Sequence, residues 1–404
     1  MEILKLAIVF VIMIGLIKFR LKVGLAILAG AICLGAISGL GVRGLLVSLY
    51  HTITAWGTIR LLLVVGIISS LGAILKNLKL TDRMVTGVEN LSGSIKTTIV
   101  LCPAIIGLMP MPGGALLSAP LVGSASEGQT IPPYKLAAIN YWFRHIFEFF
   151  WPVYPGLILM AAILDVKLKT VSMYQFPFSV MFVLGGLIFL IWPLKGVSKF
   201  TRQNSIKSSW MDVIQGVWPI VLVVIITFIF GIDILVSLVI TMTIFLAIVR
   251  PSVRILLRSV REGCSISILS LIFGVMVFQH VINDSGSAVS LAHQIASWGV
   301  PAWVVISLST FIIGMVSGIV VAHVGIVYPI LINLLVMPEP NFMHIMLANA
   351  SGLMGVMMSP LHLCLILTVE YFKASFSKVY LLILGPALFV GIGVTIFLML
   401  GYGS

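Results

Sequence analysis

Residues 99–117 read Ile-Val-Leu-Cys-Pro-Ala-Ile-Ile-Gly-Leu-Met-Pro-Met-Pro-Gly-Gly-Ala-Leu-Leu. They lie in an apolar run near 96–122, long enough to cross a ~30 Å hydrocarbon layer, for which a helix needs roughly 20 residues. Gly107 to Gly114 nevertheless cannot be a continuous helix. Pro110 and Pro112 remove backbone donors, and the glycines permit conformations closed to other residues. The segment is also too apolar for a water-exposed loop. A helix therefore breaks inside apolar surroundings.

The whole chain shares this character: of 404 residues, 60% are hydrophobic and 9% charged. A soluble domain of this size could not bury so much apolar surface. Only helices and closed barrels satisfy their backbone within lipid, and these long runs lack the period-two alternation of barrel strands. The expected fold is an all-α, polytopic membrane helix bundle. Spans are expected near 3–17, 23–40, 60–76, 96–122, 133–150, 151–165 and 173–194, then near 209–229, 232–249, 263–282, 300–318, 319–335, 341–358, 360–372 and 378–402. Met1 to Phe19 has no small-residue cleavage site and reads as the first span, not a signal peptide. The net charge of +12 resides in short loops between apolar segments, as the positive-inside bias requires, and does not point to nucleic acid; no nucleic-acid partner is expected. Cys33, Cys102, Cys264 and Cys364 are widely separated in apolar stretches and read as small buried hydrophobes.

Two halves are expected: a first repeat over 1–198, a cytoplasmic connector over 199–208 and a second repeat over 209–404. Pro120 pairs with Pro329 and Asn140 with Asn349 at one offset, 209 positions, which also carries 23–40 onto 232–249. Loop charges alternate between the halves. Lys18, Arg20 and Lys22 correspond to the non-basic Gly231 to Asp233, whereas neutral Gly39 to Val42 corresponds to Arg250, Arg254, Arg258 and Arg261. Lys76, Lys79 and Arg83 correspond to near-neutral His280 to His293. Basic loops mark the cytoplasmic side, so the repeats should have inverted topology, the pattern of alternating-access transporters.

Such transporters place their site near the midplane, where half-helix ends and re-entrant hairpins leave backbone groups free. Breaks are expected at Pro110–Gly114, Trp151–Gly156, Ser317–Gly325 (continuing to Pro329) and Ser351–Pro360, with Asn349 just before the last. Candidate substrate-binding residues are Pro112, Gly113, Gly114, Ser118, Asn140, Arg144, Tyr154, His323, Asn349, Ser351, Ser359 and His362. Asn140 and Asn349 are expected to play matched roles.

Arg144 and Glu148, four apart on one helix face, are able to pair. A lone charge at the bilayer centre costs about 2.5–3.5 kcal/mol on insertion scales, so such groups face protein or water. One reading is a pair anchoring the helix near an interface rich in Trp142, Phe147 and Trp151. The other makes Arg144 a positive centre for an anion and His145 or Glu148 the coupling group for a proton or ion. His145 and Glu148 have metal-ligand spacing but no further acidic or cysteine ligands in sequence, so no metal and no cofactor are expected. No enzyme motif is present, and no soluble segment is long enough for a nucleotide site.

Phe273-Gly274 through Asp284-Ser285-Gly286 resembles the Gly-rich helix of the gluconate permeases in the ion transporter superfamily. Trp151-Pro152-Val153-Tyr154-Pro155-Gly156 is similar to their Pro-Pro-His-Pro-Gly motif, with Trp151 and Tyr154 departing from it. The Asn140-Tyr-Trp-Phe-Arg144-His145 segment resembles the membrane family known as domain of unknown function 401. The resemblance implies a homodimer with a fixed scaffold and a moving transport domain of two hairpins, working as an elevator coupled to Na⁺ or H⁺. The expected function is secondary transport of a small organic anion, a carboxylate, across a prokaryotic plasma membrane. The alternatives are a cation/proton antiporter and an intramembrane metalloenzyme built on His145, Glu148 and the second-half histidines.

Overall fold

Apolar sequence that must satisfy its own backbone becomes helix, and the described residues of the computed structural model are predominantly helical. The structure describes residues 2–19, 21–92, 94–111, 114–194, 206–336 and 338–403. Among these there are twenty α-helices and no β-strand. The first ten are α1 (Glu2–Lys18), α2 (Val23–Ile37), α3 (Gly41–Thr54), α4 (Trp56–Asn77), α5 (Leu80–Ser92), α6 (Ile95–Gly107), α7 (Ala115–Ala125), α8 (Pro133–Arg144), α9 (Pro155–Ile163) and α10 (Leu168–Gly186). A π-helical turn, Leu187–Ile191, extends α10. The second ten are α11 (Ile206–Phe228), α12 (Ile234–Val249), α13 (Val253–Gly263), α14 (Ile266–Asp284), α15 (Ser287–Ser297), α16 (Ala302–Ser317), α17 (Val320–Val336), α18 (Phe342–Met357), α19 (Leu363–Tyr371) and α20 (Phe376–Met399). The expected connector lies outside the described residues as far as 205, and α11 already begins at Ile206.

Shifted by 209 positions, each of the first ten helices begins and ends within five residues of its counterpart in the second ten. Packing between the halves also comes in exchanged pairs. α5 packs on α11 and α1 on α15; α2 packs on α14 and α12 on α4; α9 packs on α17 and α19 on α7; α8 packs on α20 and α18 on α10.

Among the described residues, five runs are long and apolar enough to cross a membrane: Trp56–Asn77, Leu168–Ile191, Ser209–Phe228, Val253–Asp284 and Phe376–Met399. On α20, Leu381, Leu388, Ile392, Ile396 and Met399 are all exposed, an apolar surface that suits lipid and not water. The fold is an all-α membrane bundle.

Short helices occupy the interior. At 1.5 Å per residue, the 13 residues of α6 and 11 of α7 reach only ~20 and ~16 Å, too little to cross alone. They pack against each other across the break at Leu108–Gly114, and α16 and α17 do so across Gly318–Ile319. Gly318 adopts φ 64°, a left-handed cap that glycine takes without strain. α8 stops at Arg144 and α9 restarts at Pro155, whose fixed φ suits a first helical turn. α18 and α19 are separated by 358–362.

Several expectations fail here. Four helices, α3, α5, α13 and α15, were not expected. α3 is patterned inside out: Ser48 and Thr52 are buried while Val42, Leu46, Tyr50 and Ile53 are exposed. Ser48 Oγ donates to Asp284 at 2.5 Å, and Thr52 Oγ1 lies 3.2 Å from His280 Nδ1. α13 carries the arginines read as a loop, and Ser252 caps it by accepting from Ile255 N–H. His323 to Pro329 lies within continuous α17, and Asn349 to Gly352 within α18, so neither is a break. Pro329 is accommodated inside its helix. Cys264 is exposed rather than buried, and Cys33 is half-buried.

Candidate functional site

All four breaks meet. Gly107, the last residue of α6, lies so close to the end of α8 that a Cβ there would stand 2.2 Å from the Arg144 carbonyl oxygen. Tyr154, the N-cap of α9, donates its hydroxyl to the Gly107 carbonyl. Those contacts fasten the first break to the second. The third and fourth join at Gly318, where a Cβ would be 3.0 Å from Ser359 Oγ. Gly156 links the second to the third, since its Cβ would be 2.6 Å from a methyl of Val320.

Arg144 and His145 stand at the centre, on the last residue of α8 and the next one. The Arg144 Nη2 donates to the Met111 carbonyl at the tip of the α6–α7 hairpin, 2.8 Å, and its Nη1 donates to Glu148 Oε1 at 3.3 Å. Both side chains are buried. Arg144 Nε and Glu148 Oε2 have no hydrogen bond of normal geometry among the described residues, although the Tyr154 hydroxyl stands beside the guanidinium. Gly114 lets the hairpin backbone close on the guanidinium, for a Cβ there would be 2.8 Å from Nε. Trp142 does not mark an interface: it is buried, stacked on Phe182 at 3.9 Å and bonded to the Phe182 carbonyl.

His145 Nε2 lies 3.1 Å from His362 Nε2 and 3.9 Å from Glu148 Oε1. His362 Nδ1 is 2.9 Å from the Gly318 carbonyl, the tip of the α16–α17 hairpin. Arg144 thus holds one hairpin tip and His362 the other, with His145 between them.

The other expected residues divide. Asn140 is buried, donating to Thr368 Oγ1 at 3.1 Å and to the Ala115 carbonyl at 3.4 Å. Ser118 is buried in α7 and donates to the Ala115 carbonyl at 3.3 Å, a local bond. Ser359 accepts from Leu361 N–H and shapes the fourth break. His323 is buried against Gly352, whose Cβ would be 2.1 Å from its Nε2. Neither His323 ring nitrogen has a hydrogen bond of normal geometry, although the Val320 backbone stands beside it. Asn349 is buried with its Nδ2 unpartnered, and Ser351 is half-buried. No hydrogen bond among the described residues ties His323, Asn349 or Ser351 to the Arg144 group. Asn349 therefore does not repeat the cross-half bond of Asn140. Pro112 and Gly113 lie outside the described residues.

Three contributors escaped the sequence reading. Cys364 is buried, with Sγ, His145 and His362 offering ligand atoms all within 4.8 Å of one another. Tyr141 sets its ring edge-on to both histidines, at 4.9 and 5.5 Å, and donates to the Met357 carbonyl. Thr368 anchors Asn140. The one available signal was His362-Leu-Cys364, two ligand types bracketing the start of a helix.

A cavity of ≈ 450 Å³ borders this centre, walled by Pro110 and Met111 on one side and Leu363 and Leu367 on another. Lys76 and Glu262 line it as well. Arg144 does not line the cavity but stands behind Met111.

A family described as "Protein of unknown function (DUF401)" matches residues 3–401, and the chain belongs to it. No functionally curated protein matches the sequence. Among solved structures, the chain is similar to the Alcanivorax borkumensis YdaH transporter, at 15% identity, with 90% of each chain covered and a TM-score of 0.62. That likeness is one of fold.

Proposed function

We propose that this chain is a secondary active transporter of a small organic anion, a carboxylate, driven by Na⁺ or H⁺ across the prokaryotic plasma membrane. The observation that carries the reading is Arg144, a buried cation held between two broken helical elements with one guanidinium nitrogen lacking a hydrogen bond of normal geometry. A guanidinium offers a planar fork to a carboxylate, and a buried N–H without a partner is costly until a ligand accepts it. The adjoining cavity supplies a route. The fold likeness to a protein named as a transporter lends support, as does the gathering of breaks into one place.

In this reading the halves are inverted repeats, related by the exchanged packing of their helices. Side-chain pairs agree with that orientation. Asn77 bonds Ser259 and Glu262, joining two ends expected at the cytoplasm; Arg60 pairs with Asp233, joining two expected outside. The two hairpins form the moving element of an elevator in a homodimer, and alternating access comes from displacing them together.

The test is thermal unfolding of purified protein with a panel of carboxylates and sugar acids, each with and without Na⁺ and at two pH values. A ligand that binds only the folded state raises apparent stability by mass action. Stabilisation by one anion, deepened by Na⁺ or acid and absent in Arg144→Ala, is the expected result. A response to cations or pH alone, with every anion silent, replaces the anion reading with cation/proton exchange.

A further inference from the structure

His145 and His362 each point one ring nitrogen at a backbone carbonyl: Nδ1 lies 2.6 Å from the Tyr141 oxygen and 2.9 Å from the Gly318 oxygen, respectively. A carbonyl only accepts, so in both rings the proton belongs on Nδ1. Both Nε2 atoms then carry lone pairs that face each other at 3.1 Å, with the Cys364 thiol within hydrogen-bonding reach of His145. Two acceptors at that separation repel unless a cation joins them. Cys364 brings a thiol to the same point, within 4.8 Å of both.

We propose that His145, His362 and Cys364 form a binding site for a thiophilic d¹⁰ metal ion, Zn²⁺ or Cu⁺. Metal-bound histidines characteristically donate their second ring N–H to a carbonyl or carboxylate, which fixes tautomer and ring orientation. Both histidines have that partner. Two imidazoles and a thiolate suit soft or borderline ions and not Na⁺, Mg²⁺ or Ca²⁺, which take oxygen ligands. Glu148 Oε1 stands 3.9 Å from His145 Nε2 but is held by Arg144, so three protein ligands make the site. All three ligands are buried, so water does not compete from solvent.

Position gives the ion a consequence. Through its ligands it joins the end of α8 to the start of α19, and through the Gly318 carbonyl it steadies the second hairpin tip. Arg144, the residue before His145, holds the first. The site needs no transported substrate, so it stands independently of the transport reading.

The experiment uses full-length protein in detergent, purified without a histidine tag. Metal content is measured by mass spectrometry, then chelator-stripped protein is titrated with Zn²⁺ and with Co²⁺ as a spectroscopic probe. The expected result is one ion per chain, a Zn²⁺-dependent rise in unfolding temperature, and a Co²⁺–thiolate charge-transfer band. Cys364→Ser removes the band, and His145→Gln or His362→Gln lowers affinity by about 10-fold or more. Cys33→Ser, on α2, leaves all three readouts unchanged. Wild-type protein with an ordinary melting transition but no bound metal, no Co²⁺ band and no Zn²⁺ stabilisation overturns the site and leaves the histidines sharing a proton. Metal retained undiminished by Cys364→Ser together with His362→Gln overturns it equally.

Discussion

Asn140 and Thr368 are joined by a side-chain hydrogen bond of 3.1 Å between α8 and α19, with both residues buried. The bond crosses between the halves of the chain where two interrupted helices pass. Thr368→Val keeps the shape and deletes the acceptor, stranding one Asn140 donor. The expected loss is about 1 kcal/mol, and bonds of this kind in membrane bundles average ~0.6 kcal/mol. A modest fall in unfolding temperature with unchanged metal content is the expected outcome; no change would show that the bond contributes nothing net.

The Arg144–Glu148 pair makes a sharper prediction. Removing one partner of a buried pair leaves an uncompensated charge and costs up to about 3–5 kcal/mol, while replacing both by apolar groups is often far milder. Arg144→Met alone should therefore unfold at lower temperature than the double variant Arg144→Met with Glu148→Leu. On the proposed transport reading, uptake is lost in both. If the double variant proves no more stable than the single one, the pair is not a closed electrostatic unit.

Gly107 sets how near the first hairpin comes to α8. Alanine there places its Cβ 2.2 Å from the Arg144 carbonyl oxygen, a backbone atom that cannot rotate away. Overpacking of this sort costs about 1–3 kcal/mol and would push the hairpin tip off the guanidinium. Gly391→Ala, in α20 with nothing within 4 Å, is the control. It should be neutral or stabilising by roughly 0.5–1 kcal/mol, since alanine is the better helix former. The unfolding temperature should therefore fall in Gly107→Ala and hold or rise in Gly391→Ala.

The bundle, the interruption between α6 and α7 and the burial of Arg144, His145 and Glu148 were legible because each departs from a strong rule. Prolines and glycines do not belong in apolar helices, nor charges in lipid. α3 was illegible for the complementary reason: its apolar face looks outward to lipid, which inverts the pattern by which helices of soluble proteins are recognised. His323 and Pro329 were misread as a break because a membrane helix tolerates proline when its neighbours satisfy the backbone. Cys364 was passed over because one histidine two residues before a cysteine in an apolar run is a weak signal by itself. Its partner histidines stand 219 and 2 residues away, and only folding brings all three together.

The cavity beside Met111 is lined by Lys76 and Glu262, at helix ends that the loop charges assign to the cytoplasm. Ala73, on the wall contributed by α4, is half-buried and lines it. Cys264 is exposed and would react first, so the test begins from a Cys264→Ser background. Ala73→Cys in that background should be modified by a membrane-impermeant maleimide in inside-out vesicles and not in right-side-out cells. On the proposed anion-transport reading, the anion should slow the reaction by occupying the cavity or by shifting the hairpins. Labelling only from the outer face would reverse the assigned topology; labelling from neither would mean that the cavity is closed in the resting protein.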